Sequence, residues 1–174
     1  MRFPIRFIAS VAAVSALVAC GGGGDTAADS AESTPAAETP AAEGTTMVAS
    51  AGGAELYQRC VTCHMADGNG MAGAFPPLAG SEWVTGKASH SIAIVLHGLQ
   101  GEIDVKGARY NGMMMAYGTG VPMTDDEVAA VLTYVRSNFG NSAPAVTAAE
   151  VAAVRAATAG RTTPMTVAEL EALQ

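Results

Sequence analysis

Cys60-Val61-Thr62-Cys63-His64 constrains this chain more than any other stretch. C-x-x-C-H is the attachment pattern for c-type haem. Two thiols about one helical turn apart can add to the two vinyl groups of one porphyrin, and the histidine that follows then lies under the iron as its proximal ligand. The other uses of a Cys pair fit poorly. A thioredoxin-like redox pair calls for a βαβ context, and none is visible. A zinc site calls for a second ligand pair, and the only other cysteine is Cys20. The predicted cofactor is therefore one covalent haem c on Cys60 and Cys63, with His64 on the iron.

The segment upstream of the motif is of a different kind. Arg2 and Arg6 precede an apolar run from Phe7 to Ala19, the pattern of an export signal. The run is shorter than the roughly 20 apolar residues of a spanning helix. It ends in Leu17-Val18-Ala19-Cys20, which resembles a bacterial lipobox and implies cleavage before Cys20 and lipid on that residue. The alternative is an ordinary signal peptide with a chance cysteine, a free thiol in an oxidising compartment. Residues 20–52 read as a lipid-anchored, disordered acidic linker. Small residues, prolines and acids dominate, with Asp25, Asp29, Glu32, Glu38 and Glu43 and no basic residue among them. Such a segment cannot bury enough apolar surface to fold. Losing Arg2 and Arg6 with a leader of residues 1–19 takes the formal charge from −7 to −9, which argues against a nucleic-acid partner.

From residue 53 to residue 140 the chain resembles the class I c-type cytochromes. The resemblance rests on Gly52/Gly53 with Leu56-Tyr57, the Cys60–His64 motif, and Phe75-Pro76-Pro77-Leu78-Ala79-Gly80. It continues through Tyr110-Asn111-Gly112-Met113-Met114 and the stretch from Val128 to Tyr134. It implies an all-α fold around one haem, and an electron carrier rather than an enzyme. Its usual aromatic stands four residues before the first haem cysteine, whereas Tyr57 stands three before, so either Leu56 takes that packing position or the helix shifts by one residue. The resemblance assigns the Pro76 carbonyl as acceptor for the Nδ1–H of His64, a bond that fixes the ligand's tautomer. Its Asn-Gly-x-Met pattern selects Met114 as distal iron ligand, with Met113, Met115 and Met123 as alternatives. It also implies that the last helix of the domain crosses the first through Val131 and Tyr134. Tyr110 and Asn111 open the methionine turn and are candidates to bond near a haem propionate.

Other elements follow from pattern. Ser89 to His97 reads as a helix with Ser89 as cap and Gly98 as stop, presenting Ile92, Val95 and Leu96 on one face. Its His90 and His97 are rival axial ligands without a supporting motif. Gln100 to Gly120 reads as a long glycine-rich loop that places the distal ligand. Thr124, Thr147 and Thr166 each stand three residues before a glutamate, the signature of a capping box. The first opens a helix to about Asn138. The other two give residues 141–174 a pair of short helices, marginal alone and in need of something to dock on. Electron donors and acceptors of a respiratory chain, a membrane reached through Cys20, and a periplasmic or outer-face location complete the expectations. A fixed subunit of a larger oxidoreductase is the alternative, as is a haem enzyme or sensor with an open distal site.

Overall fold

The computed structural model describes residues 52–117 and 122–173. The expected leader, Cys20 and nearly all of the acidic linker lie outside the described residues. Within them the order is α1 (52–57), α2 (Val61–His64), α3 (Glu82–Thr85), α4 (Ala88–His97), β1 (Leu99–Val105), β2 (Ala108–Met114), α5 (Asp125–Ser137), α6 (Ala148–Ala157) and α7 (Val167–Glu171).

The crossing of α1 and α5 depends on a missing side chain. A Cβ on Gly53 would stand 2.3 Å from the Ala130 carbonyl oxygen and 2.6 Å from the Tyr134 Cβ, so only glycine permits this approach. Tyr57 takes the aromatic position: it is buried, with ring centroids 5.6 Å from Tyr134 and 5.0 Å from Phe139. Its hydroxyl donates to the Met65 carbonyl at 2.7 Å, and burial drives its pKa well above the ordinary phenol value. Tyr134 meets α1 as expected. The other residue at the Gly53 contact is Ala130 rather than Val131.

Two expectations are corrected. The α4 cap is Lys87, one residue ahead of Ala88, and it makes no side-chain cap bond, so Ser89 lies inside the helix. The stop is Gly98, with φ +79°, and a Cβ there would meet the Met114 carbonyl oxygen at 2.4 Å. The stretch read as a long loop is instead mostly an antiparallel hairpin. Lys106 and Gly107 both have positive φ, 53° and 76°, the two-residue turn that matches strand twist. The sequence carries the signal in alternating Ile103 and Val105 before Lys106-Gly107; a glycine count hides it.

All three capping boxes are formed, at Thr124, Thr147 and Thr166. The two tail helices dock on the domain. Val151 of α6 is fully buried in the cluster that holds Tyr57, Ile92, Leu96, Val128 and Leu132. Met165 and Leu170 complete a second cluster with Ala93, Leu99, Ile103, Val105 and Tyr110. Met165 also extends the hairpin edge: its N–H donates to Gly98 O at 3.0 Å, and its carbonyl accepts from Gln100 N at 2.8 Å. The Arg155–Asp125 ion pair at 2.8 Å ties α6 to the start of α5.

Candidate haem site

Cys60 ends the turn after α1, and Cys63 and His64 follow on α2. His64 is buried, and its Nδ1 lies 3.0 Å from the Pro76 carbonyl oxygen. Among the described residues its ring has no other hydrogen-bond partner, which leaves Nε2 for a metal. Burial pushes its pKa below the ordinary imidazole value, with the Pro76 bond acting the other way. Burial, then the neighbouring Cys63, pushes the unmodified Cys60 thiol up to about 11.

In front of His64 lies a cleft with two adjoining lobes of about 100 and 270 Å³. Together they reach the lower end of the roughly 300–1,000 Å³ typical of cofactor sites. Pro76, Leu78, Val84, Ile94, Val95 and Val131 wall the inner lobe. Arg59 is the one charged residue among the lining residues of either lobe. The hairpin adds a further wall through three cross-strand pairs: Leu99↔Met114, Gly101↔Gly112 and Ile103↔Tyr110. A Cβ on Gly101 or Gly112 would meet nothing within 4 Å, so this pair leaves open space between the flanking side chains.

The strand sorts the methionines. Met114 is half-buried and lines both lobes with His64. Met113 and Met115 are 70% and 76% exposed and line the outer lobe alone. Met123 is buried in the core and lines the inner lobe. Tyr110 is buried and lines the outer lobe, whereas Asn111 is exposed, opposite Glu102 on the hairpin, and is not in the lining. Neither rival histidine faces the cleft. His90 packs on Trp83, centroids 5.6 Å apart, and His97 Nε2 lies 2.7 Å from the Thr158 hydroxyl.

Two contributors escape a motif reading. Tyr117 lines both lobes, donates its hydroxyl to Arg59 O at 2.8 Å and its N–H to Val95 O at 2.8 Å, and so anchors the chain after the methionines. Trp83 Nε1 donates to Asp104 O at 2.9 Å, while the Glu82 carboxylate accepts from Lys106 N. These bonds hold the hairpin tip to α3. Only the aromatics themselves mark either role in the sequence.

The site fits a covalent haem on its own chemistry. Two thiols and an oriented imidazole adjoin an apolar cleft, a thioether lines it, and the glycine pair leaves open space in its hairpin wall. This constellation defines a monohaem c-type cytochrome. The cytochrome c family model matches residues 50–139, and the chain belongs to that family, in its class I branch, as an electron carrier with one covalently attached haem c. It is 41% identical over 99 residues to cytochrome c-552 of Thermus thermophilus, covering 55% of this chain and 65% of that one. It is 35% identical over 118 residues to the fructose dehydrogenase cytochrome subunit of Gluconobacter japonicus, covering 64% and 23%. It is 36% identical over 100 residues to the CcoP subunit of a cbb3-type cytochrome c oxidase from Azospirillum, covering 56% and 33%. The chain thus spans under two thirds of the length of each of these three.

Proposed function

We propose that this chain is a lipid-anchored shuttle. It is exported, held by Cys20 at the outer face of the cytoplasmic membrane or in the periplasm, and passes single electrons from a respiratory donor to a terminal oxidase. The observation that carries the reading is that His64 and Met114 line the same cleft. When bound, haem c supplies a one-electron ferric/ferrous couple. The chain's own residues do the rest. Pro76 O holds the His64 ring in one tautomer with Nε2 toward the cleft. Strand β2 presents the Met114 thioether, whose softness favours ferrous iron. With both ligands in place no coordination site is left for a substrate, which disfavours the open-site enzyme or sensor. Leu78, Val84, Ile94, Val95 and Val131 exclude water from the couple.

The relatives named as dehydrogenase and oxidase subunits favour redox protein partners, and the CcoP match favours an oxidase as acceptor. The tail supports a shuttle over a fixed subunit. Val151, Met165 and Leu170 are all buried against the chain's own domain, so their apolar faces are not free to dock elsewhere.

The test is electron delivery to membranes that retain the oxidase but lack this protein. The reduced holoprotein should restore oxygen uptake. Met114→Leu should lose the methionine charge-transfer band, drop in midpoint potential and fail to restore uptake, while Met113→Leu and Met115→Leu behave as wild type. Equal performance by Met114→Leu, or band loss in Met123→Leu instead, overturns the assignment.

A further inference from the structure

Arg136 is 3% exposed, near the end of α5, and pairs with no carboxylate among the described residues. The hydrogen bonds its guanidinium makes among the described residues all go to neutral backbone carbonyls. Nε donates to Pro144 O at 2.8 Å, and Nη1 donates to Gly86 O at 3.1 Å and to Val84 O. Arginine is rarely fully buried without an opposite charge, because desolvating it costs several kcal/mol. The acid with most influence on it is Glu150, which is exposed and occupied in capping α6 through Thr147.

The location gives that cost a use. Val84, whose carbonyl accepts from Arg136, and Val135, its chain neighbour, both line the inner lobe of the haem cleft. The uncompensated positive charge is therefore one backbone layer from the haem seat. At 3% exposure the charge is screened by solvent less than that of a surface lysine. Reduction adds one electron to the haem, and a fixed cation beside the site stabilises the reduced form over the oxidised. The chain as a whole pushes the other way, with a formal charge of −7 that already counts Arg136.

We infer that Arg136 is a positioning residue for potential: its buried, unpaired charge holds the haem couple more oxidising than the acidic chain would otherwise allow. The inference rests on the haem seat and on no particular partner or membrane anchor.

The side chain also stitches the α3–α4 link and the 143–146 segment to α5, so the test must separate charge from scaffolding. Three holoprotein variants do this. Arg136→Lys keeps the charge and loses the fork. Arg136→Gln and Arg136→Met lose the charge, one with a donor retained and one without. All three should melt at lower temperature. In a redox titration, the two neutral variants should move the ferrous-to-ferric ratio at fixed ambient potential roughly three- to tenfold toward ferric. That is about 30 to 60 mV downward, at 59 mV per tenfold for one electron. Arg136→Lys should move it less than about twofold. An equal fall in all three makes the effect geometric and overturns the inference. So does an unchanged potential in either neutral variant while the charge-transfer band is intact.

Discussion

Replacing Leu170 with alanine should release the C-terminal tail from the hairpin that carries Met114. Leu170 is 0% exposed and packs among Leu99, Ile103, Val105, Tyr110 and Met165. The substitution removes three carbon atoms, worth about 2.4 kcal/mol at about 0.8 kcal/mol per buried methylene. An incompletely collapsed cavity raises that to about 3 kcal/mol, inside the range of about 2–5 kcal/mol for buried Leu→Ala. Helix α7 has only five residues, so the loss should appear first as local opening. Two amides report on it, because each bonds across the tail–hairpin seam: Gln100 N to Met165 O at 2.8 Å, and Met165 N to Gly98 O at 3.0 Å. Since about 1.4 kcal/mol is tenfold, both should exchange with solvent roughly a hundredfold faster in Leu170→Ala. Amides within α5 should change far less. Wild-type exchange at Gln100 and Met165 would refute the reasoning. So would an equal acceleration in α5, which would make Leu170 part of the global core rather than of a separable strap.

Two further outcomes are expected. Glu169 is half-buried, and the Arg161 guanidinium at 2.6 Å and the Thr166 cap hold its carboxyl down to about 2, from an ordinary 4.5. Its contribution to tail docking is therefore complete above about pH 4.5 and lost as pH falls toward 2; the amide exchange of Met165 should follow that slope, and Glu169→Gln should flatten it. Cys20→Ser should move the holoprotein from the membrane fraction to the soluble fraction with an unchanged spectrum; retention in salt-washed membranes would point to another anchor.

Much of the site is written in local pattern. Cys60, Cys63 and His64 are adjacent in sequence, and adjacency on α2 delivers them together whatever the rest of the chain does. The capping boxes at Thr124, Thr147 and Thr166 are equally local and form as read. The hairpin is where the reading failed. Its turn, Lys106-Gly107, lacks the usual asparagine or aspartate, and its strands carry Gly101 and Gly112, so it scores as loop. It is held by tertiary bonds that no window of sequence contains: Trp83 to Asp104 O, Lys106 N to Glu82, and Met165 along the edge of β1. The buried Arg136 is invisible for the same reason. Its partners at Val84, Gly86 and Pro144 are backbone carbonyls, which any residue type supplies.

The hairpin changes what three adjacent methionines mean. On a flexible loop Met113, Met114 and Met115 are equivalent donors, and the iron could exchange one for another. In a strand successive side chains alternate faces. The register Leu99↔Met114, with Gly98 pressed against the Met114 carbonyl, fixes which of the three is half-buried in the lining of both lobes. Moving to Met113 or Met115 requires a one-residue slip, which would turn Tyr110 and Met114 outward and break the pairing with β1. Met165 and Leu170 resist that slip from the far side of β1, because they pack on Leu99, Ile103 and Val105 in the present register. On this argument the tail bears on ligation without touching the site. In Leu170→Ala the neighbouring methionines should gain access to the iron on the timescale of strand opening, and in the wild type they should not.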